Sequence, residues 1–283
     1  VRAYVRDGAL PKDYHFRQQQ LGGGADFLAG VLGIGGPALT VSTACSSSAN
    51  ALATARRLLL LDVCDAVVVG GADTLCRLTV QGFGSLEALS GGISNPFSKN
   101  RDGINIGEGA ALLLLTREPG AVQLLGAGNT SDAHHISAPD PDGGGAREAM
   151  RLALEQGGVD AGEVDYVNLH GTGTLHNDAM ESAAVADLLG PGVLCSATKP
   201  MTGHTLGAAG AIEAGLCWLM LNPLHNPQLR VLPHVYDGEQ DDEIASLPLA
   251  VPGRVFADAP RYALSNSFAF GGNNASVLLG VAS

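Results

Sequence analysis

Residues 38–61 read ALTVSTACSSSANALATARRLLLL, and the change of pattern inside this stretch decides the fold class. The apolar, β-branched run at residues 38–43 predicts a buried strand. A helix is predicted to follow over residues 45–61, with small residues on one face and leucines on another. A strand that leads directly into a helix is typical of α/β proteins, and a cysteine, Cys45, stands at this junction.

The same alternation continues along the chain. The 39 glycines stand mostly in short clusters between apolar runs, as expected where close turns join strands and helices. Pro119-Gly120 predicts a tight turn, and hence an antiparallel hairpin between strands at residues 110–116 and 121–127. Further strands are predicted at residues 65–71, 164–169, 193–197, 262–265 and 275–281, and helices at 145–156, 178–189 and 206–221. Residues 222–261, with six prolines, are predicted to form an irregular surface excursion.

Composition and charge exclude several classes of function. With 46% hydrophobic and 16% charged residues over 283 positions, the chain can bury a large core. No apolar run approaches the roughly 18 residues of a membrane span, so no membrane partner is expected. A net charge of -12 without a basic cluster argues against nucleic acid. Five scattered cysteines and no targeting segment near Val1 predict a cytoplasmic protein with reduced thiols.

Cys45 is the first candidate for chemistry. A thiol at the start of a helix faces free N–H groups and the positive end of the helix dipole, which predicts a lowered pKa. Its neighbours Ala44 and Ser46 are small, so a substrate could approach the sulfur and a backbone N–H could bind an oxyanion. A buried structural cysteine is the alternative, and the other four cysteines are interpreted as core or surface thiols.

His170 is the second candidate, because it ends the predicted strand 164–169. Ligands in open α/β folds bind at the carboxyl ends of strands. The following Gly171-Thr172-Gly173-Thr174 keeps the backbone thin, and the threonine hydroxyls could bind an amide-bearing arm. A plain strand-to-helix turn with an exposed histidine would give the same pattern.

A second junction of this kind carries Lys199 and His204. A charged histidine is disfavoured at a helix start, so His204 is predicted to be neutral and to donate one N–H. Three carboxylates could orient or neutralise the lysine and the histidines, although each could equally be a solvated helix residue: Asp178, Glu181 and Glu213.

The glycine-rich turn at residues 270–274 could present a backbone N–H to the same centre, with Phe270 as a wall or gate. A simple hairpin turn is the alternative. The GxGxxG pattern fails at Ser131, which argues against a dinucleotide site. The adjacent pair His134-His135 points two ways and has no third ligand at a suitable spacing, so no metal is predicted.

Taken together, these motifs resemble the β-ketoacyl synthase family. The resemblance rests on residues 43–47 (TACSS), 170–174 (HGTGT) with Asn177-Asp178, 199–204 (KPMTGH) and 266–272 (NSFAFGG). It extends to Asn95-Pro96-Phe97, Arg101-Asp102-Gly103 and Gly107-Glu108-Gly109, so it covers nearly the whole chain.

The resemblance implies a thiolase-like fold, with duplicated βαβαβαββ halves in an α-β-α-β-α arrangement. The halves would be residues 1–118, with the start of the first half missing, and residues 119–283. It implies that Cys45 is the nucleophile, with His170 and His204 beside it and Lys199 and Glu213 in support. Thr172 and Thr174 would contact phosphopantetheine, and the amides of Cys45 and Phe270 would form an oxyanion hole.

The implied reaction is a decarboxylative Claisen condensation of malonyl-carrier protein with an acyl group on Cys45. It requires an acyl carrier protein, no cofactor and no metal, and the family forms homodimers or heterodimers. Two departures concern the gate: Ala269 stands where the family has glycine, and Asn273 where it has threonine. The fatty acid, polyketide or aryl polyene pathway is left open.

Two alternatives to this function remain. A thiolase-fold acyltransferase or hydrolase would use the same cysteine, but one base would suffice for it, whereas two histidines are present. A non-catalytic partner subunit of the chain-length-factor type would shape a heterodimer tunnel. Such partners usually lack the nucleophile, and Cys45 therefore argues against this alternative.

Overall fold

The computed structural model describes residues 2–282 and divides into two compact units, one ending at Val41 and one beginning at Ser42. The helices are α1 Arg2–Asp7, α2 Gly23–Leu32, α3 Ser47–Leu60, α4 Arg77–Ser85, α5 Gly144–Gly157, α6 Leu175–Leu189, α7 Lys199–Thr202 and α8 Ala209–Leu221. The strands are β1 Ala66–Asp73, β2 Gly109–Thr116, β3 Val122–Ser131, β4 Tyr166–Asn168, β5 Leu194–Ser196, β6 Tyr262–Ala269 and β7 Asn273–Val281. Short 3₁₀ turns lie at Phe16–Gln19, Ala161–Glu163, Leu206–Ala208 and Phe270–Gly272.

The first unit contains α1, α2 and one 3₁₀ turn. Helix α2 ends at Gly33, whose left-handed φ of 66° places its N–H on the carbonyl of Ala29. Its apolar side chains are exposed, with Phe27 at 67% and Val31 at 64%. This unit therefore builds no buried core from α2.

The second unit contains two sheets. The larger sheet has the order β3-β7-β6-β4-β5, with β7 antiparallel to β3 and β6 and with β4 parallel to β5 and β6. The smaller sheet is the antiparallel pair β1-β2. We call the pair the first sheet and the five-stranded sheet the second sheet.

Close packing of helices on these sheets depends on small residues. A Cβ on Gly128 of β3 would lie 1.9 Å from the carbonyl oxygen of Ala149, so glycine is required where α5 crosses the strand. A Cβ on Gly210 of α8 would lie 2.8 Å from the backbone nitrogen of Ala49 in α3. The small residues of the sequence thus allow α3 and α8 to pack tightly against each other.

Two buried clusters show the layers. One joins α5 and α6 to the second sheet through residues such as Met150 and Leu264, both 0% exposed. The other fills the space between the sheets, where α3 and α8 bring Leu52 and Cys217 together with Val69 and Val277. Four layers follow in order: α5 with α6, the second sheet, α3 with α8, and the first sheet.

The predicted fifth layer is not formed by residues 42–282. Leu112 and Leu114 on the outer face of β2 are 53% and 67% exposed. Their partners on β1 are Gly70 and Val68, whose small side chains do not cover the leucines. Among the described residues, the first sheet therefore has fewer strands than the second sheet. The boundary between the halves at 118/119 stays a prediction, although the chain changes sheet there, between Thr116 and Val122.

Two predictions of secondary structure are wrong. Strands β2 and β3 do not form a hairpin across Pro119-Gly120, because β2 pairs with β1 and β3 pairs with β7. Residues 38–43 form no strand: among the described residues only Thr43 makes a bridge, to Cys45 two positions on. A strand needs a neighbour for its N–H and C=O groups, and this segment has none in the structure.

Candidate active site

Cys45 stands on a tight turn that leads into α3. Ala44 before it has a φ of 51°, a left-handed conformation that is uncommon without glycine. The side chain of Ser47 holds the turn, because its Oγ accepts the N–H of Thr43 at 2.9 Å and donates to the carbonyl of Ala44 at 2.6 Å. The thiol is thus fixed at the start of the helix and is only 6% exposed.

Both predicted histidines meet this thiol. Nε2 of His204 lies 3.0 Å from Sγ of Cys45, although the two residues are far apart in sequence. The ring of His170 stands edge-on to that of His204, with centroids 5.3 Å apart. All three side chains are buried. His170 follows β4 and His204 follows α7, so loops at the carboxyl ends of parallel strands supply them, as predicted.

Lys199 and Glu213 form a buried ion pair next to His170. Nζ of Lys199 donates to Oε1 of Glu213 at 2.6 Å and lies 3.4 Å from Nδ1 of His170. Both charged side chains are 2% exposed, so the ion pair is fully desolvated. A lysine that donates to Nδ1 of His170 leaves the ring proton on Nε2, which fixes the tautomer.

The electrostatics correct one prediction and confirm another. Burial raises the pKa of the Cys45 thiol to about 11, although Lys199 and the amides of Phe270 and Cys45 act to lower it. The expected lowering by the helix end is therefore wrong for the resting site, because desolvation outweighs it. Burial, with Lys199 adding to it, holds the pKa values of His170 and His204 well below the ordinary value. His204 is accordingly neutral, as predicted.

Asp178 and Glu181 act on the backbone and not on the lysine. Glu181 accepts the N–H groups of His170 and Gly171 at 2.7 and 2.8 Å, and so orients His170 through its main chain. Asp178 accepts the N–H groups of Phe97 and Gly173 at 2.9 and 3.2 Å. Lys199 is neutralised by Glu213, while Glu181 contacts the main chain of His170, one of the two histidines it was predicted to orient. Burial raises the pKa of Glu181 to about 7 and that of Asp178 to about 6.

Phe270 follows β6 and closes the site from the opposite side. The backbone N–H groups of Phe270 and Cys45 both act to lower the pKa of the Cys45 thiol. An oxyanion hole needs two such donors, and its assignment to these two amides stays a prediction. The turn that carries the Phe270 amide depends on glycine at residue 271, where φ is 79°. The Phe270 side chain is 38% exposed and contacts the ring of Phe83, with centroids 5.8 Å apart.

A cavity of about 470 Å³ opens from these residues to the surface. Cys45, His170 and His204 lie at its inner end, and Thr172 and Thr174 lie along its wall with their hydroxyls 2.9 Å apart. The cavity thus joins the predicted nucleophile, histidines and threonines in one channel. An extended arm could reach the sulfur along it.

The sequence interpretation missed several residues of the site. Phe268 of β6 lies 6.2 Å from His170 between ring centroids, and Phe83 of α4 lines the cavity beside Phe270. Helix α4 was itself not predicted; it is short, contains two glycines and has no buried residue. Arg101, named only as part of a loop motif, also lines the cavity and pairs with Asp241 at 2.5 Å.

The donor atoms of Cys45, His170 and His204 lie within 4.8 Å of one another, a separation that a metal ion could bridge. The ammonium of Lys199 next to His170 disfavours a cation at this place. The prediction that the protein needs neither a metal nor a cofactor stays a prediction. No helix among residues 2–282 is long and apolar enough to cross a membrane.

The chain matches two family descriptions that together span residues 11–230. The family model described as "Beta-ketoacyl synthase, N-terminal domain" matches residues 11–121, and the model described as "Beta-ketoacyl synthase, C-terminal domain" matches residues 122–230. A 3-oxoacyl-[acyl-carrier-protein] synthase 2 of Rhizobium meliloti (strain 1021) is 37% identical over 275 residues. The match covers 86% of this chain and 61% of that relative, so the chain spans less than two thirds of the relative's length.

Two solved structures have the same fold. The ketosynthase ApeO, in complex with its chain length factor ApeC from Xenorhabdus doucetiae, is 48% identical, with a TM-score of 0.86 over 100% of this chain and 70% of that chain. The ishigamide ketosynthase/chain length factor is 33% identical, with a TM-score of 0.85 over 93% of this chain and 66% of that chain. Fold, site geometry and sequence therefore agree that the chain belongs to the β-ketoacyl synthase family and has the thiolase-like fold.

Proposed function

We propose that this protein is the catalytic subunit of a 3-oxoacyl-[acyl carrier protein] synthase, acting in fatty acid or polyketide-type chain elongation. The observation that carries the proposal is the approach of His204 Nε2 to Cys45 Sγ at 3.0 Å, with the neutral ring of His170 beside both. One base would serve simple acyl transfer, whereas a second neutral imidazole serves decarboxylation.

The first half-reaction loads the enzyme. The Cys45 thiol attacks the thioester carbonyl of an acyl-carrier protein, and His204 takes the thiol proton as the sulfur attacks. The amides of Cys45 and Phe270 stabilise the oxyanion. When the tetrahedral intermediate collapses, the carrier thiolate leaves and takes a proton from solvent, and the acyl group stays on Cys45. The His204 ring keeps the former thiol proton on Nε2 and releases the one on Nδ1, so that Nε2–H is ready to donate. A thiol with a pKa of about 11 needs such a base at neutral pH.

The second half-reaction uses the histidines as donors. Malonyl-carrier protein enters the cavity, its carboxylate carbon–carbon bond breaks, carbon dioxide leaves, and the electron pair passes into an enolate. N–H groups of His170 and His204 bind the enolate oxygen, with the proton of His170 held on Nε2 by Lys199. The carbanion attacks the acyl carbonyl on Cys45, the tetrahedral intermediate collapses, and the 3-ketoacyl product leaves on its carrier protein. The expelled Cys45 thiolate takes the proton from Nε2 of His204, and the ring regains a proton on Nδ1 from solvent, which restores the resting thiol.

The partners follow from this chemistry and from the relatives. An acyl carrier protein would present the phosphopantetheine arm along the wall of Thr172 and Thr174. Because the 48% identical ketosynthase is found with a chain length factor, we propose a heterodimer with a related subunit over a homodimer. The five free cysteines favour a cytoplasmic location. No cofactor or metal enters the scheme, because the substrates bring their own phosphopantetheine.

Intact-protein mass spectrometry tests the proposal, with Cys45→Ala as the matched control. Incubation with acyl-carrier protein should add one acyl mass to the wild type and nothing to the variant. Subsequent malonyl-carrier protein should remove the adduct and give a 3-ketoacyl product. An adduct that is only hydrolysed would favour an acyltransferase or hydrolase, and no adduct on the folded assembly would favour a non-catalytic partner.

A further inference from the structure

His234 is a fully buried histidine outside the site described so far. It lies in the irregular segment between α8 and β6, and its exposed fraction is 0%. The sequence interpretation placed this segment on the surface. The segment is irregular, as predicted, but it also enters the core, where the His234 ring contacts Tyr236 at 4.8 Å and Phe97 at 6.1 Å between centroids.

The two ring nitrogens of His234 have different partners. Nδ1 accepts the backbone N–H of Ala197 at 3.0 Å. Nε2 lies 3.0 Å from the carbonyl oxygen of Pro96, which can only accept, so Nε2 carries the proton. The imidazole therefore joins two backbone segments that are far apart in sequence, and only the neutral Nε2–H tautomer makes both bonds.

The Ala197 anchor leads to the lysine. Ala197 follows β5 directly, and Lys199 opens α7 two residues later. Lys199 is the residue that contacts both Glu213 and Nδ1 of His170. The position of the Ala197 backbone therefore sets where the ammonium meets the imidazole.

The Pro96 anchor leads to the threonine loop. Phe97 after it has a φ of 60°, a left-handed conformation that its surroundings must hold in place. The Phe97 N–H donates to Asp178, which also accepts the N–H of Gly173. Its ring packs so closely on Gly171 that a Cβ there would lie 3.1 Å from ring carbon Cε2. The backbone of residues 171–174, with both threonines, therefore rests on this anchor.

We propose that His234 is a positioning residue of the active site, which places Lys199 against His170 through Ala197 and places the threonine loop through Pro96. The inference rests on the proposed function for its kinetic meaning. His234 touches neither substrate nor Cys45, and it acts through the two backbone segments that it joins.

Two substitutions separate the anchors. In His234→Asn the side-chain oxygen can replace Nδ1 as acceptor for Ala197, but the shorter side chain loses Pro96. In His234→Gln the amide nitrogen can replace Nε2 as donor to Pro96, but the acceptor for Ala197 is lost. We expect His234→Gln to lower kcat for malonyl decarboxylation by about tenfold or more, since small displacements of a catalytic group are costly. His234→Asn should instead raise KM for carrier-bound substrates and change kcat less.

The nitrogen resonances of the histidine rings provide a readout that does not depend on activity. In the wild type, His234 should show the Nε2–H tautomer. The Nδ1 resonance of His170 should shift in His234→Gln, where Lys199 moves, and stay in place in His234→Asn. If the wild type lacks ketosynthase activity, the proposed function fails, and these resonances still decide the role of His234.

Three results would overturn the inference. The first is an Nδ1–H tautomer at His234 in the wild type, and the second is an unchanged His170 resonance in His234→Gln. The third is that kcat and KM change equally in both variants and that activity falls only in proportion to the folded fraction. The last would show that His234 contributes only to stability. Folding of each variant is checked by thermal unfolding, and the wild-type tautomer remains decisive if a variant does not fold.

Discussion

Each of the two sheets contains an antiparallel pair of strands, but only the pair in the second sheet is enclosed by further strands. In the second sheet β6 and β7 are flanked by β4 and β3, and Leu264 and Leu278 are 0% exposed. In the first sheet β1 and β2 stand alone among the described strands, and Leu112 and Leu114 face outward. A helix, α8 or α3, precedes each pair, and these two helices pack on each other between the sheets.

This difference separates the nucleophile from the rest of the site. Cys45 comes from the turn before α3, next to the two-stranded first sheet. His170, Lys199 and Phe270 lie in the segments that follow β4, β5 and β6 of the five-stranded second sheet. We therefore expect stability and the groups for decarboxylation to belong mainly to the second sheet, and acyl transfer to depend on α3 being held against α8.

The largest expected effect contrasts an ion pair beside each sheet. Glu213→Ala on α8 leaves Lys199 buried without its partner and should cost roughly 3–5 kcal/mol of unfolding free energy. Arg117→Ala at the end of the first sheet, where the partners Asp62 and Asp65 are exposed, should cost at most about 1 kcal/mol. Urea denaturation of both variants measures the difference. Equal losses would contradict the contrast.

The second effect uses one substitution in both sheets. Leu278→Ala opens a cavity in the enclosed core and should cost roughly 2–5 kcal/mol. Leu114→Ala removes a side chain that is 67% exposed and should stay within about 0.5 kcal/mol. Thermal unfolding of the pair gives both values. A Leu114→Ala loss as large as that of Leu278→Ala would show that the outer face of the first sheet is covered in solution.

The third effect is a pH dependence that arises beside the second sheet. Burial lowers the pKa of His234 from 6.5 to about 4. Below pH 6.5 the unfolded chain binds a proton that the native ring takes up only near pH 4, so stability falls across this window, by up to about 3 kcal/mol from this residue. Glu181, with its pKa raised to about 7, acts in the opposite direction as pH rises.

The His234→Gln variant isolates this contribution. Its unfolding free energy should fall less steeply than that of the wild type as the solution is acidified through the same window. Urea denaturation at a series of pH values compares the two slopes. Parallel slopes would mean that His234 is not held neutral in the native state.

The elements with a strong local pattern could be predicted from sequence. The helix predicted at residues 45–61 is α3, and that predicted at 145–156 is α5, because each buries one apolar face. The pairing of strands could not be predicted. Pro119-Gly120 looks like a hairpin turn, yet β2 and β3 find their partners in different sheets, and no local signal encodes a partner more than a hundred residues away, as β7 is for β3.

Candidate site residues could be predicted where chemistry and position coincide. Cys45, His170 and His204 each stand at a junction predicted to join a strand to a helix, and the structure brings them together. The pKa of Cys45 could not be predicted, because it depends on burial by distant residues. The roles of Phe268 and His234 were missed for the same reason, because each acts through contacts with other segments. Phe268 was named only as part of the motif at residues 266–272, and His234 belongs to no motif.

Carbon dioxide release from malonyl-carrier protein tests the central claim most directly, namely that His170 and His204 stabilise the enolate independently of the sulfur. Cys45→Ala should form no acyl adduct but still release carbon dioxide, whereas His204→Ala should lose most of this release. Loss of carbon dioxide release in Cys45→Ala together with retention in folded His204→Ala would contradict the account.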